Sequence, residues 1–305
     1  MSMLRLQGLV FSCGAILLAA MAATLGQLGS QIELLVIASL ILVLGVPHGA
    51  LDTIFARQIY GILDLRGWIC FGSIYLLLSA LVVGVWFIQP AIFLLAFLVI
   101  SAFHFSGDPV EGTPWPARAF YGGAVVILPA ALHTVETTRL FSLLAGENAA
   151  ALVMPWLALL SWPWLVGLIL AVIQRARTDW LTALELFSAG ILSVLAPPLL
   201  SFTLFFCAMH SARHILRTID YSAQSSRFFI LGAALLPMFG VLAASLLAWH
   251  FLGSTPIDAR IVQIVFVGLA ALTVPHMALV ERVRLAGWVN PKKTRHCRFD
   301  GDQCK

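Results

Sequence analysis

Long apolar runs separated by short polar connections dominate the chain. "LRGWICFGSIYLLLSALVVGVWFI", Leu65 to Ile88, carries a single charged residue, Arg66. A bilayer core about 30 Å thick needs roughly 20 apolar residues per helix. On that scale the sequence predicts about ten spans, at roughly 7–26, 32–51, 67–88, 90–107, 117–135, 150–173, 180–196, 198–216, 228–252 and 260–281. The division inside 180–216 falls at Pro197-Pro198, because proline lacks an N–H and ends or kinks a helix. The run after Arg5 reads as a first span and not as a cleaved signal, since further apolar runs follow it. The expected fold is all-α: a polytopic transmembrane helix bundle over residues 1–290 as one domain, with a polar basic tail at 291–305.

Charge gives these spans an orientation. Arg5 precedes the first run; Arg57 and Arg66 follow the second, Arg118 the fourth, and Arg175 and Arg177 the sixth. Arg213, Arg217 and Arg227 lie at or beyond the end of the eighth, and six basic residues from Arg282 to Arg298 follow the tenth. The opposite connections contribute only Arg139 and Arg260. The positive-inside rule then predicts that both termini and every even-span exit are cytoplasmic. That alternation survives only with an even number of spans, which supports the Pro-Pro division.

Composition narrows the class further. Hydrophobic residues make up 61% of the 305 and charged residues only 10%, against about 25% charged in a soluble domain. The net charge of +4 sits largely in short loops and the tail, so no nucleic-acid surface is expected. Five scattered cysteines (Cys13, Cys70, Cys207, Cys297 and Cys304) argue against a disulfide framework.

The chemistry lies in the histidines. His48, in "GVPHGALD", ends the second run; His104, in "SAFHFSGD", ends the fourth. His210 and His214, in "CAMHSARHI", end the eighth, and His276, in "TVPHMALVE", ends the tenth. All five fall on the predicted cytoplasmic side at similar depth. A single histidine near a membrane helix end is ordinarily a satisfied polar residue or an interface anchor. Five on one side, with an i,i+4 pair that points at one ion, instead predict a shared metal site. His133 and His250 fall near the opposite face and fit the ordinary role, and His296 lies in the tail.

Asp52 follows His48 by four residues and Asp108 follows His104 by four. A metal-bound imidazole generally donates its other N–H to a carboxylate or carbonyl, so both acids are candidates for that supporting place, or else mark polar helix ends. Glu281 is a weaker case and Asp220 reads as a loop charge. Neutral nitrogen donors suit zinc, copper, iron and nickel. The chain has no His-Glu-x-x-His helix, Gly-x-Ser-x-Gly elbow, phosphate loop or dinucleotide fingerprint. Redox chemistry on a lipid-soluble substrate is therefore favoured over hydrolysis.

Together and in this order, the four quoted segments resemble the bacteriorhodopsin-related-protein (Brp/Blh) family of membrane β-carotene 15,15′-dioxygenases, from the second span to the tenth. The resemblance implies oxidative cleavage of the central double bond of β-carotene by O₂ to two molecules of retinal. It implies non-haem Fe(II) as cofactor, with His48, His104, His210 and His214 as catalytic metal ligands. His276 matches a further family position, as an additional ligand, a supporting donor or a pocket residue. Phe103, Phe105, Phe205 and Phe206 flank those ligands and are candidates to hold the polyene, against ordinary packing. The family also implies a bacterial or archaeal inner membrane, an active site toward the cytoplasm, and a rhodopsin-type apoprotein as acceptor of retinal. The rival reading from the residues is a metal-ion or proton-coupled membrane transporter, since intramembrane histidines and acids bind or relay transported ions. A di-iron desaturase would need more His-rich boxes, and a haem protein would show a Soret band. His296, Cys297 and Cys304 offer a stray metal site in what is expected to be a cytoplasmic tail.

Overall fold

The computed structural model describes residues 2–24, 30–222 and 227–285, so the tail lies outside the described residues. The helices run α1 (Met3–Thr24), α2 (Ser30–Leu40), α3 (Pro47–Ala50), α4 (Asp52–Tyr60), α5 (Leu65–Ile88), α6 (Pro90–Phe105), α7 (Trp115–Ile127) and α8 (Pro129–Leu132). They continue as α9 (Thr134–Ala145), α10 (Glu147–Ala176), α11 (Trp180–Leu195), α12 (Pro198–Leu204), α13 (Ala212–Tyr221), α14 (Arg227–Phe251) and α15 (Ile257–Leu285). Two π-helical segments, Ile41–Gly45 and Phe205–Ser211, join α2 to α3 and α12 to α13.

The chain is an all-α polytopic bundle. Among the described residues, eight helical stretches are long and apolar enough to cross a membrane, and Pro90–Phe105 and Trp180–Leu195 are shorter apolar helices. These ten stretches fall on the ten runs expected from the sequence. The chain turns out of α6 after Phe105, and α11 stops at Leu195, just before Pro197-Pro198, as expected. The second run is longer than expected and continues to Tyr60.

Hydrocarbon offers no partners to backbone groups, so every carbonyl freed by an intrahelical proline must be satisfied from within the protein. Pro275 interrupts α15 and deprives the Ala271 carbonyl of its donor; Ser79 Oγ of α5 donates to that carbonyl at 2.9 Å. Pro237 does the same to Ala233 in α14, and Thr53 Oγ1 of α4 donates there at 3.3 Å. These hydroxyls tie the outer helices α5 and α14 to the elements that carry the site. No residue in the apolar windows of either helix is fully buried within the chain, as expected of helices with one face to lipid.

Charge is buried at one place in the α1–α11–α13 contact. Arg213 forms a two-pronged ion pair with Glu185 of α11, at 2.6 and 3.0 Å, and its Nε donates to Gln7 Oε1 at 3.0 Å. Gln7 in turn donates to the carbonyls of Ala208, at 2.8 Å, and Met209, at 3.3 Å. Both carbonyls lie inside the second π-helical segment, where the α-helical ladder is interrupted. One polar network thus stabilises the irregular backbone that carries His210.

Removing one member of a buried ion pair leaves an uncompensated charge, at a cost of about 3–5 kcal/mol. Glu185→Gln is therefore expected to lower stability strongly, read as an earlier midpoint in a denaturing-detergent titration, while Glu185→Asp loses less.

Candidate metal centre

The sequence dictates local irregularity at the ligand-bearing positions. The first π-helical segment closes with Val46 N–H donating to Ile41 O at 2.9 Å, a five-residue step. Pro47 then starts α3 and presents His48. The second π-helical segment presents His210, and α13 presents His214. His104 sits in the last turn of α6, and His276 follows the proline interruption of α15. Single-turn π-bulges inside helices occur frequently at functional sites because the extra residue re-aims the side chains that follow.

The two π-helical segments also touch. A Cβ at Gly45 would collide with the Phe206 ring, so only glycine lets the segments approach this closely. Gly122 of α7 is similarly required: a Cβ there would meet the backbone of Ala102 and Ser106, so α7 packs directly on the end of α6 that holds His104.

The structure brings His48, His104, His210, His214 and His276 together; none is more than 7% exposed. Their rings form a closed circuit. Centroids are 4.5 Å apart for His104–His210, 5.1 Å for His210–His48 and 5.6 Å for His48–His214. They are 4.9 Å apart for His214–His276 and 5.2 Å for His276–His104, with His48–His276 crossing at 5.1 Å. One donor atom each from His48, His104 and His276 lie within 4.8 Å of one another, close enough to hold a metal ion.

Outward-facing nitrogens fix the rings. His210 Nδ1 lies 3.0 Å from both carboxylate oxygens of Asp108, and His276 Nδ1 lies 2.7 Å from Asp52 Oδ1. His48 Nδ1 meets the Gly45 carbonyl and lies 3.1 Å from Ser211 Oγ. In His210 and His276 the carboxylate demands that Nδ1 carry the proton, which leaves Nε2 with a free lone pair. The Nε2 atoms of His104, His210 and His276 are buried and have no hydrogen-bond partner among the described residues. A buried imidazole nitrogen without a partner is destabilising unless a cation takes its lone pair. Asp52 and Asp108 are buried too, at 2% and 4% exposed. The donor set therefore fits a divalent transition metal.

The acids serve histidines of other helices, not the ones four residues upstream. Asp52 reaches across to His276 of α15, and Asp108 reaches His210. Asp108 is aimed from the turn after α6, whose backbone is held by arginines. Arg213 and Arg217 donate to the Asp108 carbonyl at 3.1 and 2.8 Å, and Arg217 also donates to the Gly107 carbonyl at 3.1 Å. Arg118 holds the same loop through Thr113 and Val110, at 2.9 Å each.

Two of the four candidate phenylalanines contact the His210 ring and a third packs behind them. Phe105 lies 4.9 Å from its ring, Phe206 stacks on it at 5.8 Å with an 18° interplanar angle, and Phe205 packs on Phe105 at 5.2 Å. Phe103 instead is 40% exposed and faces an apolar groove beside Trp115. The Cys207 thiol points to the Leu40 carbonyl. His133 is satisfied by the Val194 carbonyl and Glu136, and His250 is exposed, both apart from the cluster. Sequence reasoning missed Tyr75, whose hydroxyl donates to Asp52 at 3.0 Å, as well as Ser211, Gln7 and Glu185. Of these only Glu185 carried a signal, as a lone acid in an apolar run.

Fold and site define a class: a polytopic helical membrane protein with a buried, all-imidazole cluster suited to a transition metal. The profile of the Beta-carotene 15,15'-dioxygenase family matches residues 39–283, and the chain belongs to that family. It is similar to the Beta-carotene 15,15'-dioxygenase of an uncultured marine bacterium, 32% identical over 265 residues that cover 80% of this chain and 91% of the relative. It is also similar to a probable beta-carotene 15,15'-dioxygenase of Halobacterium salinarum, 26% identical over 278 residues covering 78% and 80%. No solved structure matches it.

Overpacking a filled site costs about 1–3 kcal/mol. Gly45→Val, which drives a side chain into Phe206, is expected to lower the thermal unfolding midpoint measurably, and Gly45→Ala to lower it less.

Proposed function

We propose that this chain cleaves the central 15,15′ double bond of β-carotene with O₂ to give two molecules of all-trans-retinal. The balance is that of a dioxygenase: one C=C bond breaks, two C=O bonds form, and each aldehyde takes one oxygen atom. The observation that carries the reading is the ring of five buried imidazoles in a chain that belongs to this family. On this reading His48, His104, His210 and His214 hold non-haem Fe(II), which when bound supplies an electron-rich centre for the activation of O₂.

The chain's own residues do the rest. Asp108 keeps the proton of His210 on Nδ1 and so directs Nε2 inward. Phe105, Phe205 and Phe206 wall the cluster from water on the His210 side, and their packed rings give an apolar polyene a complementary surface. Arg213 and Arg217 fix the 107–108 turn and with it the aim of Asp108.

β-Carotene dissolves in the bilayer, so lateral access is needed. A lipid-facing groove of about 650 Å³ runs along α6 against α7 and α10, lined by apolar residues including Phe103, Trp115, Trp156 and Trp164. It shares Leu98 and Val126 with a smaller inner cavity bordered by Phe202. Phe202 stacks on Phe206 at 5.5 Å with an interplanar angle of 10°, and Phe206 stacks on His210. On this reading the polyene enters by the groove, and the stacked rings of Phe202 and Phe206 are the apolar layer between that side and His210. The loop charges support a cluster on the cytoplasmic side of a bacterial or archaeal inner membrane, and a rhodopsin-type apoprotein is the acceptor that a retinal product implies.

Expression in cells that accumulate β-carotene is expected to bleach the pigment and yield retinal; intact pigment beside folded, iron-loaded protein would overturn the reading. His104→Ala, His210→Ala and His214→Ala are each expected to lose both iron and product, whereas His133→Ala and His250→Ala keep both. Asp108→Asn is expected to weaken iron binding about 10–100-fold, the usual scale for loss of a group that orients a ligand, read by competition with a ferrous chelator.

A further inference from the structure

We infer that His276 is a fifth coordinating imidazole, and that Tyr75 is the positioning residue that aims it through Asp52. The inference rests on the ferrous reading above and extends its ligand set.

His276 is an integral part of the cluster and not a neighbour of it. Its ring contacts His48, His104 and His214, so the circuit of imidazoles closes only through it. Its Nε2 is buried without a hydrogen-bond partner among the described residues, and one of its ring nitrogens lies within 4.8 Å of donor atoms of His48 and His104. Its Nδ1 is committed to Asp52 Oδ1 at 2.7 Å. A neutral imidazole whose Nδ1–H is donated to a carboxylate has only Nε2 left to bind with, and that nitrogen is made more basic by the bond.

Asp52 is itself held. It is the first residue of α4, where the helix N-terminus favours negative charge. Its second oxygen, Oδ2, accepts from Tyr75 OH at 3.0 Å. Tyr75 lies on α5, a lipid-facing helix that also holds α15 through Ser79. The phenol has one proton and two acceptors in reach, Asp52 Oδ2 and, at 3.3 Å, the Leu272 carbonyl one turn before His276. The shorter, charge-assisted bond to Asp52 is the stronger. Tyr75, Asp52 and His276 therefore form a chain from α5 through α4 to α15, parallel to the Asp108–His210 pair on the other side of the cluster. Asp52 meets the metal through His276, so its charge acts through this ring.

The test is ferrous affinity of the purified full-length protein in detergent, measured by competition with a ferrous chelator, together with the visible spectrum of the Co(II)-substituted protein. Tyr75→Phe keeps the ring and removes only the hydroxyl. It is expected to weaken iron binding about 10-fold or more and to shift the Co(II) bands at unchanged helix content. Asp52→Asn is expected to weaken binding at least as much, and the double variant no more than Asp52→Asn alone, because the two residues act in series. Ser79→Ala removes the adjacent α5-to-α15 hydrogen bond without touching Asp52, and is expected to keep wild-type affinity and spectrum. His276→Gln is expected to bind iron more weakly with altered Co(II) bands. Wild-type affinity and spectrum in Tyr75→Phe, or in His276→Gln, would overturn this inference alone. A wild-type protein that binds no ferrous iron would overturn the reading on which it rests, and the inference with it.

Discussion

Five imidazoles buried at the end of membrane helices are tolerable only if each nitrogen has a partner. An unsatisfied polar group in an apolar medium costs on the order of a few kcal/mol, and the Nε2 atoms of His104, His210 and His276 have no partner among the described residues. That constraint organises the whole structure. The Nδ1 atoms of His210, His276 and His48 are taken up by Asp108, Asp52 and the Gly45 carbonyl, which leaves their Nε2 atoms for a ligand. Two buried carboxylates lie just behind the rings. A cation at the centre takes up the free lone pairs.

The scaffold follows from the same demand. Regular α-helices satisfy their backbone internally, yet a cluster built from five side chains requires helices to bend and approach. The chain does this with two π-helical segments, a proline before His48 and a proline before His276. Such irregularities free backbone groups, and two of them are answered by side chains from other helices: Gln7 at the Ala208 and Met209 carbonyls, Ser79 at the Ala271 carbonyl. Glycine at positions 45 and 122 permits the close contacts that place the histidines within reach of one another. The lipid-facing helices α5 and α14 are more than packing, because their links to α15 and α4 sit beside the site.

The helical class and the positions of the spans were legible in the sequence, because a bilayer imposes length and apolarity on every crossing segment. The five histidines were legible for the same reason: a polar ring in an apolar run stands out, and the loop charges put all five on one side. The partners of those rings were not. Asp52 follows His48 in sequence, yet its hydrogen bond runs to His276, more than two hundred residues away. Nothing local encodes that choice, since it depends on how α4 and α15 cross. Tyr75 was hidden because an aromatic residue in a lipid-facing helix is ordinary. The π-helical segments were hidden because their composition matches that of any apolar helix.

X-ray absorption at the iron edge of the purified, iron-loaded protein tests the central claim most directly. The account predicts a mononuclear first coordination sphere dominated by nitrogen, with the multiple-scattering pattern of several imidazoles and no iron–iron or iron–sulfur vector. A sphere dominated by oxygen or sulfur, or a second iron nearby, would contradict it.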